Sequence, residues 1–448
     1  MVEQVETTDT RPSRAPLPVT GTKGLPLRLP LGGLSPARLA RGGPAVAALV
    51  AVWALSRLAL LLFVLKVWIF PGSDVTGDVS VIYQGWSDVL RGGRFPLDDI
   101  TWQYPPAAAL PVLSPALLPF LDYATAFFVL ACAADLTVLA LLGYAGRGGG
   151  RSLLGAWAWV VGMPLIGPTV YARYDVMVTA VAVAAVLAAG RHPRAAGALA
   201  AFGALLKVWP VLVLLGMRGR RVWAAAVVTG AGLAALFAAA MPGAFAFLTF
   251  QRDRGTEVES LGALVFHFAR QAGWEGRVLL NYGSMEFLGP HVATVSTAAM
   301  ALTGMVLGWL LLWRLAASRF TAHTAADAAF TAVLMFTVTS RVLSPQYMVW
   351  LVGLAAVCCC FRTTRMRQPA ALVLMACPVT ALEFPIWFGH VVTSDALGVG
   401  LLLMRNGLLV AAAVIAAVAL WRDAVPRDAA LPLPHRAGTR PEGAPAGR

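Results

Sequence analysis

From residue 44 onward the chain alternates long apolar runs with short polar stretches, and those runs predict its architecture. A membrane crossing needs about 20 apolar residues. Runs of roughly that length fall at 44–70, 121–145, 152–170, 175–190, 222–249, 291–317, 325–340, 342–361, 369–390 and 398–421, which predicts ten crossings. The stretch 105–119 is also apolar, but Pro105, Pro106, Pro111, Pro115 and Pro119 interrupt it. Proline lacks a backbone donor and clashes with the preceding turn, so this stretch predicts short broken helices at the membrane surface. The run 195–217 has a basic cluster at both ends, RHPR (191–194) and RGRR (218–221). Positive residues favour the cytoplasmic side, so one straight crossing would strand one cluster outside. KVWP (207–210) breaks the run in its middle, and a hairpin or broken helix pair turning near Lys207 resolves the conflict.

Charge then sets the sidedness. The net charge is +13, yet Arg and Lys sit mainly in short turns between apolar runs, as topogenic charge does, so no nucleic-acid partner is expected. The loop 71–119 is predicted to be outside, and its part 71–104 holds five acids and two arginines. A second outer loop, 250–290, holds five acids and four arginines. Residues 1–43 and 422–448 are polar and read as disordered cytoplasmic tails, leaving 44–421 as one transmembrane domain. The chain is 58% hydrophobic and only 13% charged, with mean hydropathy +0.72, against about 25% charged for soluble domains. The fold class expected is therefore an all-α polytopic membrane protein. Cys132, Cys358, Cys359, Cys360 and Cys377 all lie in apolar runs and read as packing residues, not disulfides or metal ligands.

This topology collects unusual polar residues on one side: Asp78, Tyr104, Arg173, Asp175, Arg254, Glu257, Glu259, Arg341 and Gln346. Charges at helix ends of a membrane protein commonly face a cavity or a partner. In such a cavity a carboxylate can take a proton from a hydroxyl nucleophile, and arginines can hold a phosphate through paired hydrogen bonds. Arg173 and Asp175 have a mutual ion pair as their simplest reading. The Gly run GRGGGR (146–151) sits in a basic turn and is not a phosphate-binding loop. No metal cluster and no Ser-His-Asp arrangement can be assembled from the sequence.

Seven stretches, in order from residue 77 to residue 351, carry a family resemblance: GDVSVIYQGWSDVLRGGRFPLDD, WQYPPAAALPVL, ARYDVMVTAVAV, GALLKVWPVLVLL, RDRGTEVES, NYGSMEF and RVLSPQYMVWL. Together they resemble the C-type membrane glycosyltransferases, and within them glycosyltransferase family 87, the polyprenol-phosphate-mannose-dependent mannosyltransferases. The resemblance implies the C-type architecture, with juxtamembrane helices on the outer surface. It implies that the first outer loop carries the catalytic acid, which the match places at Asp78. Related eukaryotic enzymes have two acids separated by one residue; here the first of these is Thr76, so a metal held by paired acids is not expected. Asp74 is the rival acid, and its spacing to Tyr83 and the Tyr-Pro-Pro corner fits less well.

By the same resemblance, Arg254, Arg341 and Lys207 are expected at the donor phosphate. Tyr83, Tyr104, Asp175, Glu257, Glu259, Gln346 and Tyr347 are expected around the sugar and acceptor. The implied activity is inverting transfer of mannose from a polyprenyl phosphate to a lipid-anchored glycan, at the outer face of the plasma membrane and without a cofactor. Arabinofuranose or glucose on the same carrier is the alternative. A transporter is disfavoured, because the interrupted segments are not placed symmetrically in two halves.

Overall fold

The computed structural model describes residues 43–250 and 254–426. The chain divides into two units, residues 1–48 and 49–448, and the packing below is that of the second. Apart from Gly43 and residues 422–426, the expected tails 1–43 and 422–448 lie outside the described residues.

Helices dominate, as the apolar runs predict. Among the described residues six are long and apolar enough to cross a membrane: Pro44–Val64, Tyr123–Ala145, Arg220–Ala240, Val292–Ala316, Arg367–Ile386 and Ala396–Ala424. The expectation of ten full-length helices is corrected at four places. Leu154–Ile166, Asp175–Ala188, Thr324–Thr339 and Tyr347–Cys359 contain 13, 14, 16 and 13 residues. Thirteen helical residues rise about 20 Å, short of the roughly 30 Å apolar core of a bilayer. These helices stop where irregular backbone begins. Gly167, at φ +78°, and the turn Pro168–Val170 follow the first, and extended Ser340 follows the third. The missing turns are replaced by the segments 167–174 and 340–346, which carry site residues.

The proline-rich run forms three short pieces, Pro106–Ala108, Ala109–Leu113 and Ser114–Leu117. At Lys207 the helix Pro193–Leu206 breaks into extended backbone, followed by a 3-10 stretch, Trp209–Gly216. The two limbs pack together, with Gly203 against Pro210. At the centre lies Tyr347–Cys359, buried at every residue from Met348 to Cys359. It packs against Leu154–Ile166, Asp175–Ala188, Thr324–Thr339 and Arg367–Ala381. A helix apolar all round belongs in such a position. Arg220–Ala240, in contrast, buries only Val222 and Ala226.

Within the apolar core sits an ion pair, Arg57 with Asp135, at 2.9 Å and almost wholly buried. Trp53 Nε1 (2.8 Å), Trp159 Nε1 (2.9 Å) and the Tyr171 hydroxyl (2.9 Å) also donate to Asp135. Arg57 donates to the carbonyls of Val160 and Trp159. Each charge is surrounded by partners, which offsets its removal from water.

The loop after residue 254 contains a small antiparallel sheet that the all-α expectation omits. Strands β1 (Thr256–Glu257), β2 (Arg277–Asn281) and β3 (Ser284–Leu288) pair in the order β1-β3-β2. Tyr282 and Gly283, both at positive φ, make the two-residue turn between β2 and β3, the geometry that matches strand twist. A second close approach ties the loop that begins at residue 71 to the C-terminal part. Ser73 N donates to Pro385 O at 3.1 Å, and a Cβ on Gly72 would lie 2.1 Å from that oxygen.

Candidate active site

Asp78 opens a helical stretch, Asp78–Tyr83, that continues as Gln84–Arg91. Its Oδ2 lies 2.7 Å from Arg173 Nη2, and the side chain is 36% exposed. Arg173 is fixed in turn by the carbonyls of Val75 (3.1 Å) and Ala172 (2.7 Å). The pairing of Arg173 with Asp175 is therefore corrected: each has another partner. Asp74 is turned to the surface, bonded to Lys66 at 2.9 Å and to Thr76.

Asp175 starts the helix Asp175–Ala188 and is 1% exposed. Its Oδ1 accepts from Lys207 Nζ at 2.7 Å and from Trp350 Nε1 at 2.6 Å, while Oδ2 is buried with no protein partner among the described residues. The helix break leaves Lys207 in extended backbone, from which the ammonium lies over the rings of Trp350 (5.0 Å), Tyr174 (5.2 Å), Tyr104 (5.6 Å) and Tyr347 (5.6 Å). Such faces attract a cation. The rings continue through Trp86 and Trp102, both in edge contact with Tyr104. Trp86 Nε1 is held by Asp99 at 2.7 Å. Tyr83 is 1% exposed and packs on Trp86, Phe127 and Tyr174, so as placed it supports this aromatic wall and does not line a free surface.

A second group of residues comes from the sheet and the 340–346 segment. Arg254 bonds Glu286 Oε1 at 3.2 Å and Ser284 Oγ at 2.6 Å. Arg341 donates to the Arg254 carbonyl at 2.8 Å and to Ser296 Oγ at 3.2 Å. Glu257 accepts from Leu343 N at 2.5 Å and Ser344 Oγ at 2.8 Å, fixing the segment that leads to Gln346 and Tyr347. Gln346 immediately precedes the helix Tyr347–Cys359, and the Tyr347 ring stacks on Trp350 at 3.9 Å. Glu259 lies deeper, 4% exposed, beside Arg405, whose Nη2 bonds its carbonyl.

Arg254 and Arg341 head a cavity of about 270 Å³ lined also by Gly255, Val292, Ala293, Ser296, Thr297 and Met300. A shallower depression of about 510 Å³ shares Ala293 and Thr297 and continues past Thr294, Ala298 and Ala301. These residues lie on the exposed side of Val292–Ala316, so the groove runs along a helix able to span a membrane.

The two groups act on common atoms. The Tyr104 hydroxyl feels Asp175, Asp78, Arg173 and Arg254; burial first, then the two carboxylates, push its pKa up to about 12, so it stays a proton donor. Tyr347 is likewise subject to the charges of Glu257, Arg254 and Asp175. The sequence points to most of these residues but not to Trp350, Glu286 or Arg405, whose partners lie 175, 32 and 146 residues away.

No metal grouping is visible in the sequence, yet the fold brings His323, Asp327 and Asp423 together, with potential ligand atoms within 4.8 Å of one another. His323 and Asp423 are a hundred residues apart in the chain. This group sits at the far end of Thr324–Thr339 from Arg341, roughly 20 Å away by helix rise, and takes no part in the site above.

The fold is multi-pass and helical, with a carboxylate, arginines and aromatic rings gathered where helices break off, and its family makes it an integral-membrane glycosyltransferase. The chain belongs to glycosyltransferase family 87, which it matches over residues 102–345. The match takes in Tyr104, Asp175, Lys207, Arg254, Glu257, Glu259 and Arg341; Asp78, Tyr83, Gln346 and Tyr347 lie outside it. No curated protein and no solved structure matches the chain.

Proposed function

We propose that this glycosyltransferase moves mannose from a polyprenyl phosphate to a hydroxyl of a lipid-anchored glycan, with inversion, on the extracytoplasmic side of the plasma membrane. The observation that carries the reading is the groove headed by Arg254 and Arg341 and continued along the exposed side of Val292–Ala316. A single lipid phosphate needs this combination: two guanidinium groups for the oxygens and an apolar track for the isoprenoid chain. The N-terminus of a 25-residue helix at the same end adds favourable potential for an anion.

In this reading Asp78 accepts the proton of the acceptor hydroxyl. The freed oxygen attacks the anomeric carbon, and the bond to the phosphate breaks with its electron pair on the phosphate oxygen. Arg254 and Arg341 stabilise that charge directly. Lys207 contributes from the aromatic floor, where Asp175 holds it. Asp175 Oδ2 and the Tyr104 and Tyr347 hydroxyls are disposed to bond sugar hydroxyls, with Gln346 at the edge. Glu257 sets the Leu343–Ser344 turn, and Tyr83 and Glu259 act from behind the surface. The chemistry asks for no metal, since a monophosphate is the leaving group. Purified protein given radiolabelled mannosyl, arabinofuranosyl and glucosyl polyprenyl phosphates should transfer the first to membrane acceptors. Transfer of only one of the others would replace the sugar; transfer of none would defeat the reading.

A further inference from the structure

Behind the site lies a fully buried group of charges from the C-terminal helices, beyond the residues that match the family. Arg405, on Ala396–Ala424, is 0% exposed. Its Nη2 lies 3.1 Å from Glu383 Oε1, and Glu383 is also 0% exposed. Arg405 also donates to backbone: Nη2 bonds the Glu259 carbonyl and Nη1 the Leu343 carbonyl at 3.4 Å. Asn406 adds a bond to the Glu259 carbonyl at 3.4 Å. Those two carbonyls belong to the two segments that carry the arginine half of the site, 254–260 and 341–346.

Glu383 reaches toward the other half. Two residues on, Pro385 O receives Ser73 N, and Gly72 leaves room for that contact. The segment so docked leads within five residues to Asp78. One buried ion pair thus stands between the loop that carries the proposed base and the loops that carry the proposed phosphate ligands. Its residues are imperfectly matched as partners. The Glu259 and Glu383 carboxyls share a hydrogen bond, but Arg405 Nε and Asn406 Oδ1 lack partners among the described residues. Burial, followed by the nearby Glu383 and Glu257 carboxyls, pushes the Glu259 carboxyl well above its usual range. A cluster built for stability alone would saturate these groups, as the one around Arg57 does.

We infer that Glu383 and Arg405 are positioning residues that hold the Asp78 loop and the Arg254/Arg341 loops in register for transfer. The inference rests on the function proposed above, so its test has one readout that does not depend on catalysis. Glu383→Leu with Arg405→Met removes both charges at similar volume. Replacement of a whole buried pair by apolar residues is often neutral for stability, whereas loss of one partner is not. The double variant should therefore melt close to the unmodified protein, while Arg405→Met alone should melt lower. In the double variant, amide exchange at residues 255–263 and 341–346 should accelerate at least about tenfold, the effect of losing roughly 1.4 kcal/mol of local protection. Exchange in Tyr123–Ala145 should not change. With the mannosyl donor, kcat should fall at least about tenfold, and Arg405→Lys should recover part of it.

Unchanged exchange in both segments overturns the inference whatever the activity. Normal kcat in a well-folded double variant overturns it as well. Accelerated exchange with no transfer by the unmodified protein keeps the positioning role and rejects the proposed function instead.

Discussion

Two charged centres of this protein invite comparison. Around Arg57 and Asp135, one carboxylate receives Arg57, Trp53, Trp159 and Tyr171, and the guanidinium spends its other donors on carbonyls. Around Asp78 and Asp175, the carboxylates are each half used: Asp78 is 36% exposed with one arginine, and Asp175 Oδ2 has no partner among the described residues. Both centres cost desolvation. The first recovers it internally and is closed to any ligand, while the second leaves one carboxylate partly exposed and the other with a buried oxygen not bonded by the described residues. The difference teaches that charge in an apolar core is not itself a mark of function. What marks it is bonding capacity left over once the protein's own partners are counted.

The comparison can be broken at several points. The largest effect is expected at Asp78→Asn, which keeps shape but cannot accept a proton. Transfer should fall about 10²–10⁴-fold with the melting temperature little changed. Near-normal turnover would move the base to Asp175 or Glu257. Asp135→Asn should do the reverse. Leaving Arg57 buried with a weakened partner should cost about 3–5 kcal/mol of stability, read as lost folded protein in a thermal melt, while the surviving molecules turn over normally. A stable Asp135→Asn protein with lost activity would erase the distinction between the two centres.

Arg341→Ala and Arg254→Ala sharpen the second centre. Each removes a charged hydrogen-bonding group worth roughly 1.5–3 kcal/mol, so donor affinity or kcat/KM should drop about 10–100-fold. No change in either variant would vacate the proposed phosphate position. The smallest effect is expected at Asp74→Asn. Its bond to Lys66 lies at the surface, where such pairs contribute about 0–1 kcal/mol, and activity should stay within about twofold. Single cysteines at positions 98 and 270 check the sidedness on which both readings depend. An impermeant thiol reagent should label them in intact cells, and labelling only after permeabilisation would place the site on the wrong face.

Much of the helical layout is legible in the sequence because an apolar run of known length has few other fates in a membrane. The break at Lys207 is legible for a related reason: basic clusters on both sides conflict with a straight crossing. The proline-rich run at 105–119 likewise declares its short pieces. The sheet is less visible, since β1 has two residues and the others five, too few for a period to emerge. The shortened helices are also hidden, because the apolar run continues after the helix ends. At the site, individual residues such as Asp78 and Arg341 stand out, but their pairings do not. Asp78 finds Arg173 and Asp175 finds Lys207 only through tertiary packing. Arg57 and Asp135 do interrupt apolar runs, and that interruption is the signal that could have exposed them.

The groove along Val292–Ala316 opens sideways, on a helix face that is exposed in the fold. A donor that enters there diffuses in two dimensions and never passes through water. Its effective concentration is then its mole fraction among the lipids, and the volume of the sample drops out. The proposed enzyme would respond to how crowded the leaflet is with carrier. Adding inert lipid at constant total donor should slow it as surely as removing substrate.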